Sequence, residues 1–347
     1  MKRFQDESKV LEKLGVQLPP LPPTPKVSTV IPAFNAAAFI TEAVESALNQ
    51  TYGNLEIIVV NDGSTDGTRD KIKQYGSRIR YVEQANRGPA AARNHGVQIA
   101  SGSLITFLDA DDVWLPEKIR RQVEYMASHS ELGIVTTDVL TFGDQGIVNG
   151  TLKNYYPISN GFVLEKLLFH NWIGASAAMV RRECFDRVGG FDEILTPDGR
   201  GQCTAEDWLM WMKIASHYPV HFIDEVLVRH RIHASNYSTI GADVVFEHLL
   251  ENLKIMERTI PQLRQRPQLL RQAASRICRI RGWEALSEIR TDSARRKFRK
   301  GLEYTPFSLK LWFLFLLASL PEFSLRVLKR SCKEARGVLN VKFLMHI

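Results

Sequence analysis

The sequence predicts an α/β protein built on a doubly wound, largely parallel sheet, and three observations predict it. Short β-branched runs alternate with helical patterns in βαβα order over residues 26–128. Polar and acidic residues follow directly on those apolar runs, where open α/β sheets place their ligands. A chain of 347 residues, 44% of them hydrophobic, has enough apolar surface for one large core or for a domain with an appendage.

Taken in order, residues 1–18 suit a short charged helix, and Pro19-Pro20-Leu21-Pro22-Pro23-Thr24-Pro25 reads as a stiff polyproline linker. The folded domain is expected from Lys26. Strands are expected at 27–31, 57–61, 79–82 and 104–108, separated by helices near 36–50, 66–75, 88–100 and 115–128. Ser64-Thr65-Asp66 offers cap oxygens to the second helix, and Pro116-Glu117 suits a helical first turn. A further strand is expected at 133–137. After it the alternation weakens, stretches such as Val188-Gly189-Gly190-Phe191-Asp192 appear, and a helix follows at 206–215. The expected division is an N-terminal segment at 1–25, a nucleotide-binding domain at 26–242 and a helical basic extension at 243–347.

The net charge of +7 is carried by the C-terminal part, where residues 260–347 hold 19 Lys/Arg against 6 Asp/Glu. Such a basic segment meets nucleic acid, acidic polymer or an anionic membrane surface. Its arginines are interspersed with Leu and Ile and accompany no nucleic-acid module, so a membrane surface is expected and nucleic acid is not. Leu311-Trp312-Phe313-Leu314-Phe315-Leu316-Leu317-Ala318 is far short of the roughly 20 apolar residues that span a bilayer. Two readings stay open for it: a helix lying in a membrane interface, or one packed on the catalytic domain or on a second copy in a homo-oligomer. Cys184, Cys203, Cys278 and Cys332 lack metal-site spacing and read as reduced apolar residues. No apolar stretch follows the positive charges of Met1-Lys2-Arg3, so a cytoplasmic chain peripheral to the membrane is expected.

The chemistry gathers behind the strands. Strand one ends in Pro32-Ala33-Phe34-Asn35, strand two in Asn61-Asp62-Gly63-Ser64-Thr65-Asp66-Gly67, and strand four in Asp109-Ala110-Asp111-Asp112. Asp62 stands where a carboxylate meets a nucleoside, although Asp-Gly-Ser is also an ordinary turn. Three carboxylates within four residues repel one another unless a cation is present, and hard Mg²⁺ or Mn²⁺ suits them; a solvated loop is the other reading. Asn86-Arg87-Gly88 opens a small-residue helix, with Arg87 and Arg93 placed either for a nucleotide or for local acids. Neither GxGxxG after strand one nor GxxxxGK[ST] occurs, which argues against a dinucleotide-binding dehydrogenase and a P-loop NTPase.

Val30-Ile31-Pro32-Ala33-Phe34-Asn35, Val60-Asn61-Asp62-Gly63-Ser64-Thr65-Asp66-Gly67-Thr68, Asn86-Arg87-Gly88, Leu108-Asp109-Ala110-Asp111-Asp112 and Glu206-Asp207-Trp208 together resemble the family 2 glycosyltransferases of the GT-A fold, over about residues 26–235. The resemblance implies inverting transfer of a sugar from a nucleoside diphosphate, UDP by default, to a hydroxyl of a saccharide, lipid-linked or other surface glycan. It implies donor contacts at Pro32, Phe34, Asn35, Asp62, Arg87, Arg93, Asp109 and Ala110, and a Mn²⁺ or Mg²⁺ ion held by Asp111, Asp109 and His233. Asp207 is implied as the catalytic base, with Glu206 and Trp208 supporting it or meeting the acceptor. His233 comes from Arg229-His230-Arg231-Ile232-His233, similar to a late basic motif of the family, and a structural histidine is the plainer reading. Trp172, Trp208 and Trp211 either stack on a sugar or pack in the core. A sugar nucleotidyltransferase lacks its early Gly-rich triphosphate loop here, and retention of Asp62, Asp109, Asp111 and Asp207 argues against a non-catalytic carbohydrate-binding protein.

Overall fold

The computed structural model describes residues 18–143, 146–193, 205–233, 241–322 and 324–325. The helix expected at 1–18 and the basic residues Arg326, Lys329, Arg330, Lys333 and Arg336 lie outside them, apart from Leu18. Two compact units divide the chain, one over Met1–Thr239 with Ile255–Arg264, the other over Ile240–Lys254 with Gln265–Ile347.

In the first unit, β1 (Val27–Ala33), β2 (Leu55–Asp62), β3 (Arg80–Gln84) and β4 (Leu104–Phe107) are laid side by side in the order β3-β2-β1-β4, all parallel. In β1, β2 and β4 Val, Ile and Leu dominate both faces because helices cover the sheet, whereas the edge strand β3, Arg80-Tyr81-Val82-Glu83-Gln84, is partly exposed. The covering helices are α1 (Ile40–Leu48), α2 (Thr68–Lys73), α3 (Gly88–Ile99) and α4 (Lys118–Ser128). Three of these start later than the sequence suggests, since Ala36–Phe39 forms a tight turn ahead of α1, Asp66 accepts from the Thr68 amide at 3.0 Å ahead of α2, and Pro116-Glu117 precede α4. Helix α3 lies so close to β1 that a Cβ on Gly96 would stand 2.2 Å from Val30 Cγ1.

The rest of the sheet departs from the parallel expectation. The order continues β8 (Met179–Arg181), β6 (Ile134–Gly143), β9 (Val220–Arg231), β5 (Val113–Trp114), with β7 (Gly146–Thr151) paired to β6. Here β8 is antiparallel to β4 and β6, β5 is antiparallel to β9, and β6 with β9 is parallel. Short α5 (Leu164–Phe169) and α6 (Arg182–Val188) precede α7 (Glu206–Ala215), which is buried along nearly its whole length.

The Pro-rich segment, expected as a linker, lies against this unit instead. Leu18 is buried, Tyr52 donates to the Pro25 carbonyl at 2.6 Å, Asn54 to Thr24 at 2.9 Å and Arg181 to Pro19 at 2.9 Å. Cys184 and Cys278 are buried free thiols. Burial pushes the Cys184 thiol well up and that of Cys278 to about 12, so both behave as small apolar groups.

In the second unit, α8 (Ala242–Thr259) supplies its first residues, followed by α10 (Pro267–Ser287), α11 (Thr291–Tyr304) and α12 (Leu309–Ala318), with short α9 (Pro261–Arg264) assigned to the first. Ala285, Leu286, Ala294, Phe298, Leu302, Leu311 and Leu314 form its core. The buried Lys297 ammonium pairs with Asp243, whose carboxyl falls to about 2 through hydrogen bonds from Lys297 and Ser293 that outweigh burial.

Candidate active site

Interlocked loops follow the ends of β1 and β2. Asn35, with φ +47, sits in the left-handed region that Asn tolerates, and this turns its side chain toward the loop after β2. Its Oδ1 accepts from the Thr65 amide at 2.8 Å, and its own amide donates to Ser64 Oγ at 3.0 Å. Asn61 Oδ1 accepts from the Ser64 amide at 3.1 Å, closing the same turn. Pro32 is half-buried in β1 opposite Val60, while Phe34 is 49% exposed.

Asp62 is buried at the end of β2, and its carboxylate caps α3. Oδ1 accepts from the Arg87 amide at 2.9 Å and from Gln84 Nε2 at 2.8 Å, and Oδ2 accepts from the Gly88 amide at 2.7 Å. The first amides of α3, read from the sequence as a place for an external anion, thus already serve a protein carboxylate. The Arg87 guanidinium reaches Glu193 at the surface.

Arg93 takes the second of its two readings. It is buried, donates Nη2 to Asp109 Oδ1 at 2.7 Å and Nη1 to Glu206 Oε1, and lies 5.6 Å over the Phe191 ring. Burial alone would lower its proton affinity, but the carboxylates of Asp109 and Glu206 raise it above the usual arginine range. The residue therefore ties the acidic turn after β4 to the start of α7.

The three carboxylates of that turn part company. Asp109 faces Arg93 and its amide donates to Ser176 Oγ at 3.1 Å, next to the buried Ala110. Asp111 meets His233, with Oδ2 3.0 Å from His233 Nε2. Asp112 is buried and structural: Oδ2 accepts from Ser176 Oγ at 2.6 Å, and Oδ1 stands 3.0 Å from His230 Nδ1 and accepts from the Arg231 amide at 3.0 Å. The ladder between β5 and β9 pairs Val113 with Arg229, which brings the end of β9 alongside the turn. Arg231 then donates Nε to the Asp111 carbonyl at 3.0 Å, and His233 stacks on Phe39 with ring centroids 4.3 Å apart.

The charges leave their marks. The Asp112 carboxylate, hydrogen-bonded to His230, raises that imidazole to about 9 against the cost of burial. Burial first, then Asp112 and Asp109, push the Asp111 carboxyl up. Among the described residues no group of three or more His, Cys, Asp or Glu forms a metal cage. Of the expected trio, Asp111 and His233 meet, while Asp109 is engaged by Arg93.

At the start of α7, Ala205 adopts φ +63 and the helix opens on Glu206-Asp207. Asp207 Oδ1 accepts from the Trp208 amide at 2.6 Å. Its carboxyl is pushed up to about 7, first by burial and then by the Glu206 charge, with Arg93 acting in the opposite sense. Trp208 takes the core reading of the two left open for it. It is buried, and its indole donates to the Leu167 carbonyl at 3.0 Å; Trp172 and Trp211 are buried as well, so all three are core residues.

Ser176, His230 and Arg231 were not legible as members of the site. Both basic residues lie in the motif that yields His233, but their partner Asp112 is found only once β5 and β9 pair.

Residues 28–189 match the model of glycosyl transferase family 2. The chain is 31% identical over 233 residues to an uncharacterized glycosyltransferase, RP339, of Rickettsia prowazekii, covering 65% of this chain and 70% of the relative. It is 31% identical over 214 residues to the putative teichuronic acid biosynthesis glycosyltransferase TuaG of Bacillus subtilis, covering 60% and 79%. A Rickettsia felis relative, 31% identical over 224 residues, is matched over only 35% of its length. Among solved structures, S. aureus TarS 1-349 in complex with UDP-GlcNAc superposes with TM-score 0.60 at 17% identity, covering 80% of this chain and 81% of that one. Mannosyltransferase PcManGT from Pyrobaculum calidifontis, in complex with GDP-Man and Mn²⁺, gives 0.58 at 19% identity over 96% and 88%. These likenesses establish the GT-A fold.

Proposed function

The chain belongs to glycosyl transferase family 2, and on that premise we propose that it transfers a sugar, with inversion and with a divalent metal, from a nucleoside diphosphate donor to a hydroxyl of a glycan or lipid-linked acceptor. UDP is the first donor nucleotide to try. The observation that carries the reading is the Arg93 bridge, which couples the acidic turn at Asp109 to the helix start that holds Glu206 and Asp207.

In these roles Asp207 removes the acceptor proton as the hydroxyl oxygen attacks the anomeric carbon from the face opposite the diphosphate. A carboxyl near 7 is matched to that duty around neutral pH. Glu206 pairs with one arm of Arg93, and the other arm of Arg93 holds Asp109 in place. The nucleoside end is assigned to Phe34, Asn35 and Asp62, with Asp62 acting by fixing the first amides of α3. The neighbours in complex with UDP-GlcNAc and GDP-Man support a nucleotide-sugar donor.

Asp111 and His233 would hold a Mn²⁺ or Mg²⁺ ion. They fit one: a carboxylate and an imidazole face each other, the carboxylate carries surplus local negative charge, and such ions need few protein ligands when phosphate oxygens complete the shell. When bound, the ion neutralises charge on the diphosphate. The relative named for teichuronic acid biosynthesis, together with the basic C-terminal residues, supports an acceptor displayed at an anionic membrane, on its cytoplasmic side.

The test is a thermal-shift survey of UDP- and GDP-sugars with Mn²⁺. At least one is expected to raise Tm, and Asp111→Asn to abolish the metal-dependent part of the rise. Absence of any donor response, with or without metal, would overturn the reading.

A further inference from the structure

Helix α12 is apolar on two sides. Leu311, Leu314 and Ala318 are buried in the core of the second unit with Phe298 and Leu302. The opposite stripe consists of Leu309, Phe313 and Leu316, spaced i, i+4 and i+7 on one helical face, and all three are exposed, as is Leu320 just past the helix end. Trp312 adds to it, and Phe307, just before the helix, is 95% exposed, with Leu309 at 85%. Scattered apolar residues on a surface are ordinary; a continuous stripe of this kind marks a contact.

Beside the start of α12 is a cavity of about 470 Å³ whose lining includes Arg276 and Arg279 of α10, with Ser275, Pro306, Phe307 and Ser308. Lys310 lies close by: burial, then the Arg279 and Arg276 charges, lower its proton affinity. The apolar stripe is therefore flanked by three cations gathered at one end. Among the described residues no helix is long and apolar enough to cross a membrane.

We propose that this surface docks on an anionic lipid bilayer, with Phe307, Leu309, Phe313 and Leu316 entering the acyl boundary and Arg276, Arg279 and Lys310 meeting headgroup phosphates. Charge selects lipid over a second copy of the chain. A second copy of a chain of net charge +7 brings like charge to the contact, whereas anionic headgroups complement the three cations. The proposal rests on the reading of a membrane-borne acceptor and names the surface that would deliver it.

The test is flotation of the full chain with vesicles of phosphatidylcholine alone or mixed with phosphatidylglycerol. Co-flotation is expected with the mixed vesicles. Leu309→Asp with Phe313→Asp should lower the floated fraction roughly ten-fold. Arg276→Gln with Arg279→Gln should lower it about five-fold per cation and remove the preference for anionic lipid. A melting temperature and a donor-induced thermal shift equal to those of the parent chain show that each variant is folded, so loss of docking is separated from loss of the transferase site. Flotation of the Leu309→Asp/Phe313→Asp chain at the parent level would overturn the proposal. So would a parent chain that ignores phosphatidylglycerol vesicles and instead forms a dimer that this pair of substitutions dissociates.

Discussion

The Arg93 guanidinium donates to Asp109 Oδ1 at 2.7 Å, and its other terminal nitrogen is held by Glu206, so one buried cation spans from the end of β4 to the start of α7. Lys could not replace it, since an ammonium lacks the planar fork that serves two carboxylates at once. Removing the charge leaves two carboxylates in a poorly solvated place, and breaking a buried pair in this way costs about 3–5 kcal/mol. Arg93→Met is expected to lower stability by that order in chemical denaturation and to lower kcat as well. Arg93→Lys should recover part of the stability and little of the turnover.

Asp112 and His230 make a second pair, 3.0 Å apart, and the imidazole is raised from 6.5 to about 9. A folded-state value above the unfolded one stabilises the protein fully below pH 6.5, and that contribution is lost as pH rises through 9. His230 is nearly half exposed, so solvent screening holds the effect to about 1 kcal/mol or less. His230→Gln should therefore flatten the decline of Tm between these two pH values. An unchanged slope would mean that the pair contributes nothing.

Glu56 behaves in the opposite sense. Its carboxylate accepts from Ser28, from the Ser101 amide at 2.6 Å and hydroxyl at 2.8 Å, and faces Lys26 at 3.3 Å. Together these overcome burial and hold it at about 2 instead of 4.5. The stabilisation is present above pH 4.5 and lost as pH falls through 2; it is on the order of 3 kcal/mol. Glu56→Gln is expected to lower Tm at pH 7 and to make the melting temperature less sensitive to acid. A variant as stable as the parent at pH 7 would refute this.

The parallel half of the sheet was legible because β1, β2 and β4 are short buried apolar runs, each followed by its own turn chemistry within a few residues. The placement of Asp62, Asp109 and Asp111 at the ends of β2 and β4 was legible for the same reason. The antiparallel half was not: β5 is two residues long, and its pairing with β9 joins positions more than a hundred residues apart. The duty of Asp112 depends on that pairing and could not be read before it. Trp208 stayed open between stacking on a sugar and packing in the core, and only its burial in α7 decides for the core. Arg93 has an ordinary local sequence, and only the arrival of Glu206 from a distant segment determines its partners.

The account turns on Asp207 as the base that takes the acceptor proton, and the direct measurement is the pH dependence of acceptor-dependent transfer by the parent chain and by Asp207→Asn. A base at about 7 is idle while protonated, so transfer by the parent chain should climb as pH rises through 7 and then level. Asp207→Asn should bind donor as well as the parent, by thermal shift, while transferring about 10² to 10⁴-fold more slowly and without that rise. Transfer by Asp207→Asn at the parent rate, with the same pH profile, would contradict it.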